Sequence, residues 1–257
     1  MARVRLDSLL AERGLFESRS RAAAAVLAGQ VHLGTGRRRA EKPGQLVEAA
    51  VEIEIDGPPP YVSRGGTKLA NALDALALGV RDRRALDVGA STGGFTDCLL
   101  QRGAAHVIAL DVAYGELDYR LREDARVTVI ERANARAVTP DQLPYRPDLI
   151  VIDVSFISLT KVLPAVLGVT APAFDCLAMV KPQFEVGRER VGKGGVVKDP
   201  ELRREAVNAV AAAAREHGAV TLGSAPSALA GPSGNRETFL WLAEAGRPGA
   251  VDEVDAW

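Results

Sequence analysis

A chain of 257 residues with 47% hydrophobic side chains can bury one large core, or one large and one small. Its 32 Lys and Arg against 33 Asp and Glu leave a net charge of −1, which excludes a uniformly polybasic nucleic-acid binder. Cys98 and Cys176, in apolar surroundings and without CxxC spacing, exclude a disulfide framework and read as core thiols of a protein of the reducing cytoplasm.

The charge is unevenly placed. Residues 1–42 carry nine basic and four acidic side chains, a surplus of +5, while the remainder is acidic. That asymmetry suggests an anion-binding module joined to something else. The start, MARVRLDSLL, has charges among its first seven residues and no apolar signal core, so no secretion signal is expected.

RLDSLLAERGLFESRSRAAAAVLAG reads as two short helices. Leu6, Leu9 and Leu10 share one stripe, Gly14 ends the first helix, and Ser18 caps the second. A strand-like piece and a basic turn follow in QVHLGTGRRR. In QLVEAAVEIEI, Val51, Ile53 and Ile55 alternate with Glu52 and Glu54 as in a half-exposed strand. DGPPPY is then a stiff, extended break at about 57–62, which gives a small domain at 1–58, a linker at 59–63 and a second domain at 64–257.

Beyond the linker, apolar strands alternate with helical patterns: ALDV, HVIALDV, RVTVIER, DLIVIDVSF, CLAMVKP, AVTLGSA and ETFLWLA. Most are continuous apolar runs, as a sheet covered by helices on both faces requires. The segment VLPAVLGVTAPAFDCLAMV is broken by two prolines and Asp175, too interrupted to span a bilayer. SRGGTKLANALDALALGV reads as a helix burying Leu69, Leu73, Leu76 and Val80, with Lys68 near its start.

The stretch RALDVGASTGGFTD joins the first strand, ending in Asp87, to a glycine turn and a helix. A dinucleotide fingerprint needs glycine where Ser91 stands, and no Gly-Lys-Ser/Thr follows for a phosphate loop. An acidic residue before a tight glycine turn suits a ligand with a positive centre and a ribose. Asp111, ending the second strand, can accept both ribose hydroxyls. S-adenosylmethionine has that chemistry, and its candidate contacts are Asp87, Gly89, Ser91, Thr92, Gly93, Gly94, Phe95, Asp111 and Asp153. A turn whose glycines serve geometry alone is the competing reading.

Four charged residues sit where an apolar framework does not leave charge casually: Lys68, Asp153 after LIVI, Lys181 after LAMV, and Glu237 before TFLWLA. They suit methyl transfer to a ribose hydroxyl, a poor nucleophile that needs a general base. Lysine is a base only when neutral. Its reference pKa is about 10.4, and neutrality near pH 7 takes about 4 kcal/mol. Burial, a second amine and a sulfonium nearby favour the neutral form and carboxylates oppose it, so the acids orient the base rather than activate it. Lys181 is the expected base and Lys68 the group that positions the hydroxyl; the reverse assignment stays open.

YVSRGGTKL, DVGASTGGFTD, VIDVSFISL, VKPQFE and GNRETFL, in that order, resemble the TlyA-type ribosomal RNA 2′-O-ribose methyltransferases, whose catalytic domain is similar to the FtsJ-type RNA methyltransferases. RLDSLL, SRSRA and GQVHLG look like the small RNA-binding domain shared with a ribosomal small-subunit protein. The resemblance implies an α/β, Rossmann-like S-adenosylmethionine-dependent domain with a seven-stranded, mostly parallel sheet, preceded by a small α+β RNA-binding domain. It implies a Lys-Asp-Lys-Glu tetrad, matched by Lys68, Asp153, Lys181 and Glu237. It further implies methylation of a cytidine ribose in small-subunit RNA, in large-subunit RNA as well for members with a long start like this one, and a link to tuberactinomycin sensitivity. The proline-rich PPPY departs from the mixed, tryptophan-containing linker of the family, which puts its interdomain coupling in doubt here.

Arg5, Arg19, Arg21, Arg37, Arg38, Arg39 and Arg64 are the expected RNA contacts, because a guanidinium fork takes two phosphate oxygens; a solvated basic face is the alternative for any one of them. Residues 186–200, VGRERVGKGGVVKDP, read equally as a lid or as a plain loop. His32, His106 and His217 lack ligand spacing, so no metal is expected. Two other functions compete: a nicotinamide oxidoreductase, disfavoured by Ser91, and a non-catalytic RNA-binding or assembly factor, disfavoured by the two lysines.

Overall fold

A computed structural model of the chain describes residues 3–57, 59–231 and 233–256. They form two compact units, Met1–Pro60 and Tyr61–Trp257.

In the small unit, β1 (Arg3–Arg5) leads into α1 (Leu6–Glu12), followed by α2 (Arg19–Ala28), β2 (Val31–Leu33), β3 (Arg38–Arg39), β4 (Leu46–Glu48) and β5 (Ile53–Ile55). The stripe Leu6, Leu9 and Leu10 is buried against Ala22, Ala25 and Val26 of α2. Ser18 caps α2, its side chain accepting from the Arg21 N–H at 3.2 Å. β2 is the middle of a three-stranded antiparallel sheet between β3 and β5, and β1 pairs antiparallel with β4. The sequence pattern gives no sign of β1 and runs β4 and β5 together. The chain turns between them, where the Val51 N–H donates to the Glu48 carbonyl, so Val51 lies outside the strand.

The large unit runs α3 (Arg64–Ala75), β6 (Arg84–Val88), α4 (Gly94–Gln101), β7 (His106–Leu110), α5 (Tyr119–Arg122), β8 (Val127–Ile130), β9 (Leu149–Ile152), α6 (Leu163–Gly168), β10 (Asp175–Val180), α7 (Pro182–Glu185), α8 (Pro200–Glu216), β11 (Ala219–Pro226) and β12 (Thr238–Glu244). Its seven strands form one sheet in the order β11-β12-β10-β9-β6-β7-β8. Six of them run in one direction, and β12, between β10 and β11, runs antiparallel to both neighbours. The unbroken apolar runs follow from this arrangement, because alternate residues serve opposite faces. Leu86, Ile108, Ile150 and Ala178 join one core with α6 and α8. Ala85, Val107, Leu149 and Leu177 join the other with α3 and α4.

α3 is shorter than its apolar pattern. It ends at Ala75, and Ala77 turns into the left-handed region at φ 51°, so Val80 reaches the core from a loop and Leu76 is only half-buried. Cys98 and Cys176 are free and buried. No helix among the described residues is long and apolar enough to cross a membrane.

Candidate active site

The chain goes from β6 to β7 and β8 on one side, then crosses to β9 on the other. The carboxyl ends of β6 and β9 therefore flank the crevice where ligands bind in such sheets. Val88 stands opposite Ile152, so Gly89 and Asp153 leave the sheet side by side. Only glycine fits at 89: its φ is 84°, and a Cβ there would lie 2.5 Å from the Asp153 carbonyl oxygen. Val180 stands opposite Thr238 in the antiparallel pair. That pairing brings Glu237, which precedes a strand, to the edge that Lys181 reaches by ending one.

Lys68 arrives on α3, which packs along α4. The two helix starts touch backbone to backbone, since a Cβ on Gly66 would lie 2.7 Å from the Gly94 carbonyl oxygen. This close approach is why glycine stands at 66 in RGGTK and at 94 in STGGF.

Lys68 Nζ donates to Glu237 Oε2 at 2.5 Å, with side chains 8% and 2% exposed. Lys181 Nζ lies 2.6 Å from Asp153 Oδ1, an ion pair too oblique to count as a hydrogen bond, and donates to Ser155 Oγ at 2.8 Å. All five side chains line one cavity of about 400 Å³ with Ser63, Arg64, Gly89, Ser91, Thr92, Gly94 and Phe95. Ser155 carries no signal in the sequence beyond its place two residues after Asp153.

A second cavity of about 430 Å³ shares Gly89, Ser91, Asp153 and Ser155 with the first and continues between Val112, residues 133–135 and Ile157. Asp111 stands at its wall. It accepts the Ser91 and Ala113 N–H groups at 2.7 Å each, which fixes the carboxylate and leaves its remaining lone pairs for the cavity. Ser91 holds φ 47°, so a serine occupies the left-handed position of the turn.

Two expected cofactor contacts line neither cavity. Gly93 packs under Leu117 and Leu121. Asp87 is not the end of its strand but a residue inside it, with no exposure. Its Oδ2 accepts from Thr96 Oγ1 at 2.7 Å, and Oδ1 has no partner among the described residues. Burial pushes this carboxyl up to about 7; Asp153 and Asp111 add to the rise and Thr96 opposes it. Asp87 thus supports the turn from beneath.

A groove of about 960 Å³ opens beside the tetrad, lined by Lys181 and Glu237 and by Phe156, Phe184, Arg188 and Asn235. Part of its wall comes from the 186–200 segment. Asn235, 1% exposed, accepts from the Val197 N–H at 2.9 Å and donates to the Gly195 carbonyl at 2.7 Å, which fastens that segment beside Glu237.

The expected phosphate contacts differ among themselves. Arg5 and Arg19 meet Asp7, Arg21 meets Glu17, and Arg37 meets Glu54 and Asp56. Arg38 and Arg39 stand exposed on β3 with no ion pair among the described residues. Arg64 is exposed at the mouth of the tetrad cavity. No group of three or more His, Cys, Asp or Glu among the described residues is placed to hold a metal ion.

The sheet order and its carboxyl edge have counterparts. An S-adenosylmethionine-dependent methyltransferase from Mesorhizobium loti shares the fold at 16% identity and a TM-score of 0.51, covering 71% of this chain and all of its own. A candidate hemolysin from Streptococcus thermophilus is 39% identical with a TM-score of 0.74, covering 96% of this chain and 90% of its own. The curated relative named 16S/23S rRNA (cytidine-2′-O)-methyltransferase TlyA, from Mycobacterium tuberculosis, is 51% identical over 242 residues, 93% of this chain and 90% of that protein. With the fold, the 51% identity over nearly the whole chain defines an S-adenosylmethionine-dependent methyltransferase. The family model for FtsJ-like methyltransferases matches residues 61–244, and the chain belongs to that family.

The residues present fit this cofactor. The apolar second cavity offers room for an adenine, Asp111 offers its carboxylate to a ribose, and the space over Gly89 leads to the tetrad.

Proposed function

We propose that the chain methylates the ribose 2′-hydroxyl of a cytidine in ribosomal RNA, of the small subunit and also the large, in the cytoplasm, and that tuberactinomycin sensitivity follows the modification. The observation that carries this reading is the convergence of Lys68, Asp153, Lys181 and Glu237 on one cavity that shares Gly89, Ser91, Asp153 and Ser155 with a second, mostly apolar one walled by Asp111. The cofactor supplies, when bound, a methyl group on a positive sulfur.

Lys181 accepts the proton of the ribose hydroxyl as that oxygen attacks the methyl carbon. With the cofactor bound, its methyl would pass from sulfur to that oxygen, and the proton would rest on Lys181 Nζ. Asp153 and Ser155 hold this amine from the sides, at 2.6 and 2.8 Å, and leave its third direction to the cavity. Lys68 and Glu237 work differently. Glu237 is 2% exposed and engages Lys68 at 2.5 Å, so Lys68 is a fixed donor that orients the hydroxyl oxygen. Asp153 is 25% exposed and gives Lys181 a route for shedding its proton to solvent. That difference favours Lys181 as the base.

The test is tritiated-methyl transfer to ribosomal subunits lacking the modification, followed by mapping of the labelled nucleotide. Lys181→Ala is expected to abolish incorporation while RNA binding persists. Activity within severalfold of wild type would reject the base assignment.

A further inference from the structure

In the small unit, two arginines share one buried carboxylate. Asp7, in the first turn of α1, is 5% exposed. Its Oδ1 accepts from Arg5 Nε at 3.1 Å, from the Ser8 N–H at 2.8 Å and from Ser8 Oγ at 3.4 Å. Its Oδ2 accepts from Arg5 Nη2 at 2.7 Å and from Arg19 Nη2 at 3.4 Å. The Arg5 guanidinium beside it holds the Asp7 carboxyl well below the usual carboxylate range, so it is ionised at any working pH. The two arginine side chains remain 52% and 60% exposed. A guanidinium has five N–H donors, so Arg5 keeps three and Arg19 four for another anion.

We propose that Asp7 is a positioning residue that gathers Arg5 and Arg19 into a paired, pre-formed clamp for RNA phosphates. The proposal rests on the reading that the small unit contacts RNA. A free arginine has many rotamers, and ordering two of them on binding weakens affinity. Asp7 settles that ordering before RNA arrives. Gly44 completes the seat: a Cβ there would lie 2.9 Å from Arg5 Nη1, so the guanidinium occupies the space a side chain would fill.

Charge counting and geometry predict opposite signs. By charge alone, Asp7→Asn removes a negative group beside two arginines and tightens RNA binding, with a steeper salt dependence. By geometry, it frees both arginines, weakens binding by about fivefold and flattens the slope of log affinity against log salt by about 1. The measurement is binding of the full chain to transcribed, unmodified small-subunit ribosomal RNA across a salt series, with a thermal melt of each variant as the check on folding. Gly44→Ala displaces Arg5 without changing charge and is expected to weaken binding in the same direction, which keeps the test decisive if Asp7→Asn does not fold. Equal or tighter binding by folded Asp7→Asn, or unchanged binding by Gly44→Ala where that variant alone folds, overturns the clamp. The double variant Arg38→Ala/Arg39→Ala separates the two levels. If it weakens binding while Asp7→Asn does not, the clamp alone fails; if neither weakens it, the RNA contact of the small unit fails as well.

Discussion

Asp87 shows how a residue can serve a ligand site without touching the ligand. It lies under the glycine turn with one oxygen held by Thr96 and the other unpartnered among the described residues, and it faces the carboxylates of Asp153 and Asp111. With its carboxyl raised to about 7, the folded chain keeps a proton on Asp87 through a range where the unfolded chain has released it. The stabilisation from this group is therefore whole below about pH 4 and is lost as pH rises through about 7, an effect of up to about 4 kcal/mol. Asn at 87 keeps an oxygen for Thr96 and carries no charge. Melting curves from pH 5 to 8 are expected to show wild type losing several degrees relative to Asp87→Asn. Parallel pH dependences for the two proteins would mean that Asp87 does not titrate in the fold.

At the scale of elements, the tetrad depends on how the loop after β9 is tied to the helix after β10. Glu185, the last residue of α7, accepts from Ser158 Oγ at 2.6 Å and from the Leu159 N–H at 2.9 Å. Burial pushes its carboxyl above the usual range. α7 begins right after Lys181, and the loop it grips carries Asp153 and Ser155, so one carboxylate sets the spacing of base and orienting groups. Glu185→Ala is expected to lower kcat about tenfold with little change in KM for S-adenosylmethionine, the cost of about 1.4 kcal/mol in weaker positioning. Glu185→Gln, which still offers an oxygen to the Leu159 N–H, should recover most of it. Wild-type kcat in both variants would show this tie to be idle. The strands around it are legible in the sequence because each is an apolar run with its own boundary. The four charged residues are legible because they end or begin such runs. Glu185 and Ser155 are not, since their roles depend on meeting partners about 26 residues away, at Ser158 and Lys181, which no local pattern records. Asp87 escapes a local reading for a related reason: only the folded α4 brings Thr96 to it. β1, three residues with at most partial burial, has no apolar period to read.

At the scale of the whole chain, net charge gives little attraction for RNA in either unit. The +5 surplus of residues 1–42 is offset by Glu48, Glu52, Glu54 and Asp56, so residues 1–60 carry nine basic and eight acidic groups. Residues 61–257 carry 23 basic and 25 acidic groups, a net −2. Affinity for a polyanion then depends on local presentation rather than on a long-range field, and the small unit presents Arg38 and Arg39 exposed on β3 and Arg5 and Arg19 half-exposed around Asp7. The cofactor cavities, in contrast, are built wholly from residues of Tyr61–Trp257. Removing residues 1–60 is therefore expected to split the two properties. S-adenosylmethionine should still raise the melting temperature of the remaining chain, because every side chain lining its cavities is retained. Binding to unmodified small-subunit RNA should weaken, and its salt dependence should flatten by about one for each phosphate no longer neutralised, on the order of 2 to 4 in all. An RNA affinity that is unchanged at every salt concentration, in a truncated chain that the cofactor still protects, would place the RNA-binding arginines and lysines in the catalytic unit instead.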